Sequence, residues 1–197
     1  MGTVVEGTAV VAGRTVPVRA DFASDHVVLR GGLKGEHRFS DVAVVSSGGG
    51  VLRIQVAGAL AEFPLEDKAE ALAARIRDPP TVLDKLGVAA GLRVQCIALP
   101  KDLQRELDGL GFAQARTRLD LLLLGVASGE GLERIPDLRR RLHAAGALWV
   151  IFPKGRQDPA EADVLDAGRK AGLKDVKVAR VSATHTGLKF VVPLAAR

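Results

Sequence analysis

Two successive domains, a small antiparallel β domain closed by one helix and then a three-layer α/β domain, are the fold class that the 197-residue sequence predicts. Three observations predict it. Residues 3–63 are dense in Val, Thr and Gly in short alternating runs, the pattern of antiparallel strands joined by turns. From Leu92 onward, apolar runs alternate with amphipathic helical stretches, the pattern of a mainly parallel sheet covered on both faces. Between the two stands Asp78-Pro79-Pro80, a stiff break that ends a helix.

In the first domain, Thr3 to Ala12 and Thr15 to Phe22 flank Gly13-Arg14 and form a hairpin. Further strands are expected at His26 to Arg30, Glu36 to Phe39, Val42 to Ser46, Val51 to Val56 and Ala59 to Phe63. Gly31-Gly32, Gly48-Gly49-Gly50 and Gly58 supply the turns, because glycine tolerates positive φ. A helix follows from Pro64 to Arg77, with Leu65, Ala69, Leu72 and Ile76 on one stripe. Its acidic residues fall in the first turn and its basic ones near the end, as the helix dipole prefers. Seven short strands capped by one amphipathic helix resemble the pleckstrin-homology-like barrel in the order and length of elements. That resemblance implies a scaffold or partner-docking role. Nine cations against ten acids over residues 1–80 argue against an anionic lipid head group as the partner.

The predicted boundaries are 1–78 for this β-rich domain, 79–91 for a linker with a short helix, and 92–197 for a Rossmann-like α/β domain. In the last of these, Leu92 to Leu99 is a strand, and Pro100 to Leu110 a helix with Leu103, Leu107 and Leu110 inward. A short edge piece is expected at Phe112 to Arg116. Leu119 to Val126 is a strand apolar enough to be buried on both faces. A helix from Glu130 to Ala145, restarted at Pro136 and closed by Gly146, leads into the strand Ala147 to Phe152. Pro159 to Ala171 is a helix ended by Gly172. Lys174 to Ala183 and Gly187 to Leu194 close the chain as an antiparallel pair joined by Thr184-His185-Thr186.

Composition narrows the function classes. Hydrophobic residues make up 47% and charged residues 26%, which fits a folded core and excludes whole-chain disorder. The apolar runs fall far short of the roughly 20 residues of a bilayer span. The start Met1-Gly2-Thr3-Val4-Val5-Glu6 lacks the basic-then-apolar pattern of a secretory signal, so a cytoplasmic protein is expected. Cys96 sits inside an apolar run without a basic partner, which reads as a structural thiol. The net charge of +5 is uneven, with nineteen cations against thirteen acids over residues 81–197. Aromatics at 4% give no interleaved stacking positions, so a dedicated nucleic-acid binder is disfavoured.

Three places carry the site argument. A nucleotide-cofactor site in such a domain needs glycines after the first strand, where the backbone closely approaches the ligand with free N–H groups. Here the chain reads Ala98-Leu99-Pro100-Lys101-Asp102, with no glycine and with a proline that has no N–H. The acidic residue that would end a second strand and hold a ribose is also missing, since Phe112 to Arg118 offers only Gln114, Arg116 and Arg118. Second, the loop Pro153-Lys154-Gly155-Arg156-Gln157 follows a strand at its carboxyl end, where Lys154 and Arg156 can hold a phosphate or carboxylate. A solvated loop with ordinary surface charge is the plainer alternative. Third, His185 and Lys189 lie in Thr184-His185-Thr186-Gly187-Leu188-Lys189. No nucleophile or orienting partner for His185 is identifiable by spacing, and a surface turn histidine is the plainer reading. His26, His37 and His143 share no ligand spacing with one another or with Cys96, so no metal is expected. Arg139-Arg140-Arg141 reads as a solvated basic face at a helix end.

Residues 83–193 resemble a bacterial domain family of unknown function that is Rossmann-like and methyltransferase-like. The likeness is carried by Leu83-Asp84-Lys85-Leu86-Gly87-Val88 with Gly91, by Asp120-Leu121-Leu122-Leu123, by Gly146-Ala147-Leu148-Trp149-Val150 running into Pro153-Lys154, and by Ser182 with Gly187-Leu188-Lys189-Phe190-Val191. In that family an aromatic residue commonly stands where His185 is here. The resemblance implies the fold; it supplies no cofactor and no catalytic residue. The expectation is therefore a non-catalytic cytoplasmic binding or scaffold protein whose α/β domain is a degenerate methyltransferase-like domain, with an unknown protein partner or small anionic ligand. The alternatives are an enzyme or sensor that binds a small phosphate- or carboxylate-bearing ligand beside Lys154, Arg156, His185 and Lys189, and a weak electrostatic nucleic-acid binder.

Overall fold

A computed structural model of the chain describes residues 2–110, 112 and 115–196. The chain divides into two units, Met1–Pro80 and Thr81–Arg197. No helix among the described residues is long and apolar enough to cross a membrane.

The first unit is a curled, wholly antiparallel sheet. Its strands are β1 (Thr3–Val11), β2 (Arg14–Phe22), β3 (His26–Gly31), β4 (Gly35–Arg38), β5 (Ala43–Ser46), β6 (Val51–Val56) and β7 (Ala59–Pro64), in the order β4-β3-β2-β1-β7-β6-β5. All nine residues of β1 pair with β2, whereas only Thr8–Val10 pair with β7, so β1 leaves β7 beyond Gly7. Helix α1 (Lys68–Arg77) packs on β5 and β6 and sends Ala69, Leu72 and Ile76 into the core, where Leu65 joins them. Phe22 and Phe63 meet there edge to face, their centroids 5.3 Å apart. The helix starts later than its stripe predicts. Leu65 and Glu66 both donate their N–H groups to the Gly50 carbonyl, and Glu66 takes φ +51°, so the first helical turn cannot begin at Pro64.

The second unit opens with the short helix α2 (Val82–Leu86), within the span predicted as linker. Thr81 and Asp84 exchange side-chain and backbone hydrogen bonds at its start, and Gly87, at φ +74°, ends it. Leu86 is fully buried in the core of this unit. Five strands follow: β8 (Val94–Ile97), β9 (Leu119–Gly125), β10 (Leu142–Pro153), β11 (Lys174–Arg180) and β12 (His185–Val191), in the order β11-β12-β10-β9-β8. β8, β9 and β10 run parallel, while β12 is antiparallel to both its neighbours β10 and β11. Alternate residues of the central strands serve opposite faces. Leu121, Leu123, Trp149 and Ile151 pack with Leu86 of α2 and with Leu103 and Leu107 of α3 (Lys101–Asp108). Leu122, Leu124, Leu148 and Val150 pack with Leu138 of α4 (Ile135–Arg139) and Val164 of α5 (Glu161–Lys170). That is why β9 and β10 are apolar at almost every position.

Five sequence expectations need correction here. Leu110 is about half exposed rather than inward, because α3 stops at Asp108. The edge piece at Phe112 to Arg116 is not a strand at its described residues Phe112, Ala115 and Arg116; Ala113 and Gln114 lie outside the described residues. The single helix from Glu130 to Ala145 is instead a 3-10 turn over Gly129–Arg134, the five-residue α4, and then strand from Leu142. Gly146 does not end a helix. It sits in β10, where a Cβ would stand 2.4 Å from the Leu119 carbonyl oxygen, at the register shift between Leu142 and Ala147. Finally, the closing hairpin turns through residues 181–184, and His185 is the first residue of β12.

Candidate functional site

At the carboxyl ends of β8, β9 and β10 the second unit has a cleft of about 160 Å³. It is lined by residues 98–100, residues 125–127, Ile151, Pro153 and His185. Since β12 runs antiparallel to β10, its first residue, His185, pairs with Pro153 and is carried to this edge. In open α/β sheets this is the edge that presents ligands.

The floor is set by backbone. Ala98 takes φ +50°, which turns its carbonyl oxygen onto Gly125, the last residue of β9. A Cβ on Gly125 would lie 2.0 Å from that oxygen and 2.9 Å from Leu99 Cα, so only glycine allows the contact. Pro100 then precedes α3 and contributes its carbonyl to Gln104 N–H at 2.9 Å, with no N–H of its own. On the next loop, Gly129 N–H is taken by the Asp158 carboxylate at 2.6 Å. Pro100 thus offers no N–H on the turn after β8, and on the loop after β9 the Gly129 N–H has an internal partner.

The polar side of the cleft is a hydroxyl-supported imidazole. Ser182 Oγ accepts from Thr184 N–H at 3.2 Å and from His185 N–H at 3.0 Å, and lies 3.3 Å from Thr184 Oγ1. Thr184 Oγ1 in turn lies 3.0 Å from His185 Nδ1. Lys154 N–H donates to the Thr184 carbonyl at 2.8 Å, which ties the loop after β10 to the same turn. His185 is half-buried, whereas Lys154 and Arg156 are exposed, with Gly155 at φ +72° between them.

Of the four residues singled out in the sequence, the fold therefore gathers His185 and the Lys154–Arg156 turn at one edge. Lys189 lies four residues along β12, some 13 Å away at the strand rise of about 3.3 Å per residue. It pairs with Trp149 on one side and Lys177 on the other. There burial, and then the neighbouring Lys177 charge, hold its pKa below the ordinary lysine value. Sequence reasoning named Ser182 and Thr184 without giving them a part in the site beside His185, and it missed Asp158. The first two carry a local signal, a Ser-x-Thr-His run in which short hydroxyls bond neighbouring backbone; Asp158 joins its partner only through the tertiary fold.

Elsewhere the basic run Arg139-Arg140-Arg141 is divided among separate tasks: Arg140 pairs with Asp137, and Arg141 reaches Gln95 Oε1 at 3.5 Å. Cys96 is half-buried, and burial pushes its thiol pKa up, the opposite of an activated nucleophile. No group of His, Cys, Asp or Glu among the described residues has the arrangement of a metal site.

These residues depart from the glycine loop on which a dinucleotide or S-adenosylmethionine usually rests. The Ala98 carbonyl covers Gly125, Pro100 removes a donor, and Asp158 occupies the Gly129 N–H. The sheet also passes directly from β8 to β9, so a second strand bearing a ribose-holding carboxylate does not adjoin β8 among the described residues.

No family model matches the chain, and no curated protein matches it. Solved structures similar to it include a SAM-dependent methyltransferase from Aquifex aeolicus, with 13% identity over 57% of this chain and 88% of that one and a TM-score of 0.42. A SAM-dependent O-methyltransferase from Thermotoga maritima is 10% identical over 86% of this chain and 94% of that one, with a TM-score of 0.42. A TehB-like SAM-dependent methyltransferase from Corynebacterium glutamicum is 14% identical over 63% of this chain and 97% of that one, with a TM-score of 0.39. With TM-scores below 0.5, none of these likenesses assigns an activity to the chain.

Proposed function

We propose that the chain is a non-catalytic binding protein. In this reading its second unit is a degenerate methyltransferase-like domain that takes a small ligand in the carboxyl-edge cleft, and its first unit is a pleckstrin-homology-like docking domain. The observation that carries the reading is the contact of the Ala98 carbonyl with Gly125, which stands with Pro100 at the turn where a nucleotide cofactor's glycine loop would be. What remains is a small cleft with apolar walls and one imidazole. Its titratable lining residue has one hydroxyl partner, Thr184, on a ring nitrogen, and among the described residues no nucleophilic side chain lines the cleft beside it. In the first unit, a seven-stranded curled sheet closed by α1 agrees with the docking role.

Calorimetric titration of the full chain with S-adenosylmethionine, S-adenosylhomocysteine, NAD and ATP tests this directly. The expected result is no saturable heat with any of the four. A micromolar or tighter dissociation constant for one of them overturns the reading.

A further inference from the structure

We infer that the cleft is built for a short aliphatic carboxylate, its oxygen on His185 Nε2–H and its hydrocarbon against Leu99, Pro100, Val126 and Pro153. This rests on the reading of the cleft as a ligand site and names the ligand's class. Proton placement is what selects that class. Ser182 Oγ already accepts two backbone N–H groups, from Thr184 and His185, so its own proton is free to go to Thr184 Oγ1. With that bond accepted, the Thr184 hydroxyl still has its own proton to give, and His185 Nδ1 stands 3.0 Å away as the acceptor we assign to it. The main chain fixes the Ser182 end of this relay, and the ring tautomer is the part that the experiment below reads. A neutral imidazole that accepts at Nδ1 carries its proton on Nε2, and the protonated ring keeps that proton. In both charge states His185 therefore offers the cleft a donor, and its complement is an oxygen acceptor.

Size and surroundings narrow the class further. About 160 Å³ is room for on the order of five water-sized groups, the bulk of a four-carbon acid. The walls are mostly apolar, Pro100 among them has no N–H, and His185 is the titratable side chain lining the cleft, a poor match for the several oxygens of a phosphate. A carboxylate needs fewer donors, and the exposed Lys154 and Arg156 on the turn tied to Thr184 favour its charge.

The test is nuclear magnetic resonance on the full chain. Long-range nitrogen–proton correlations of the histidine rings, with His185 assigned from the His185→Gln spectrum, read the tautomer. In its neutral ring the wild type should show the Nε2–H form, and Ser182→Ala should shift the ring toward a mixture of tautomers. Titration with isobutyrate should move the His185 ring signals saturably in the millimolar range. Isobutylamine and inorganic phosphate should not move them. His185→Ala should weaken isobutyrate binding about tenfold or more, the loss of one charge-assisted hydrogen bond; His185→Gln, which keeps an N–H donor, should weaken it less. Trp149 fluorescence checks that each variant is folded. An Nδ1–H tautomer in the wild type, or isobutyrate affinity unchanged in His185→Ala, overturns the inference. If phosphate or the amine binds the cleft and isobutyrate does not, the ligand class is wrong while the ligand-site reading stands. If none of the three probes binds and a broad metabolite panel leaves the melting temperature unmoved, both fall.

Discussion

Ala98 and Gly125 meet backbone to backbone: a Cβ placed on Gly125 would stand 2.0 Å from the Ala98 carbonyl oxygen. Main chain cannot yield as a flexible side chain does, so Gly125→Ala must push the 98–100 turn off β9 or distort the strand. The expected cost is about 3 kcal/mol, at the upper end for overpacking of a close contact. Denaturant midpoints followed by Trp149 fluorescence check it; an unchanged midpoint would show that the turn is free to lift.

Asp120 accepts three hydrogen bonds from Arg93, at 3.0 Å each, one from backbone N–H and two from the guanidinium. These hold its carboxyl pKa at about 2 against an ordinary 3.8. A carboxyl whose pKa is depressed on folding adds stability above the unfolded-state value and loses it as pH falls toward the folded one. Asp120→Asn should therefore be less stable than wild type at neutral pH. The gap should close as pH falls from 3.8 to about 2, measured by urea denaturation at stepped pH.

The fully buried Trp149 donates its indole N–H to the Leu86 carbonyl at 2.8 Å and fixes α2 against the sheet. Trp149→Phe removes the donor, leaves that carbonyl short of a partner and opens a void. A loss of about 2–4 kcal/mol is expected. Near-ultraviolet circular dichroism and urea melts of the variant measure it.

Lys189 has the opposite linkage to Asp120. Its pKa is lowered first by burial between β10 and β11 and then by Lys177, so the folded state binds that proton less readily than the unfolded chain. Wild type should gain stability relative to Lys189→Met as pH rises toward 10.5, where the unfolded-state amine titrates. Lys177→Met should shrink the gain without abolishing it. Matched pH–stability curves of the three proteins decide this.

Most of the strand layout was legible in the sequence because glycine turns and alternating apolar residues are local signals: the Thr15 to Phe22 run became Arg14–Phe22, and Val51 to Val56 matched to the residue. The α1 stripe was legible for the same reason, although its start was not, since Gly50 reaches Leu65 and Glu66 from elsewhere in the chain. Gly146 misled because a helix stop and a close strand crossing both call for glycine; only the Leu119 carbonyl distinguishes them. At the site, the proline turn could be read directly. The Gly125 contact, the Asp158 lock on Gly129 and the separation of Lys189 from His185 depend on sheet order and strand direction, which periodicity does not encode.

Where the chain can be cut follows from α2. Its opening at Thr81–Asp84 and its buried Leu86 sit ahead of the first strand of the second unit, yet Leu86 packs with Trp149 and offers it a carbonyl. A recombinant fragment begun at Gly91 would carry a raw hydrophobic socket where Leu86 sits and should precipitate or melt early. One begun at Thr81 keeps the plug, and is the piece to express for studying the cleft in isolation.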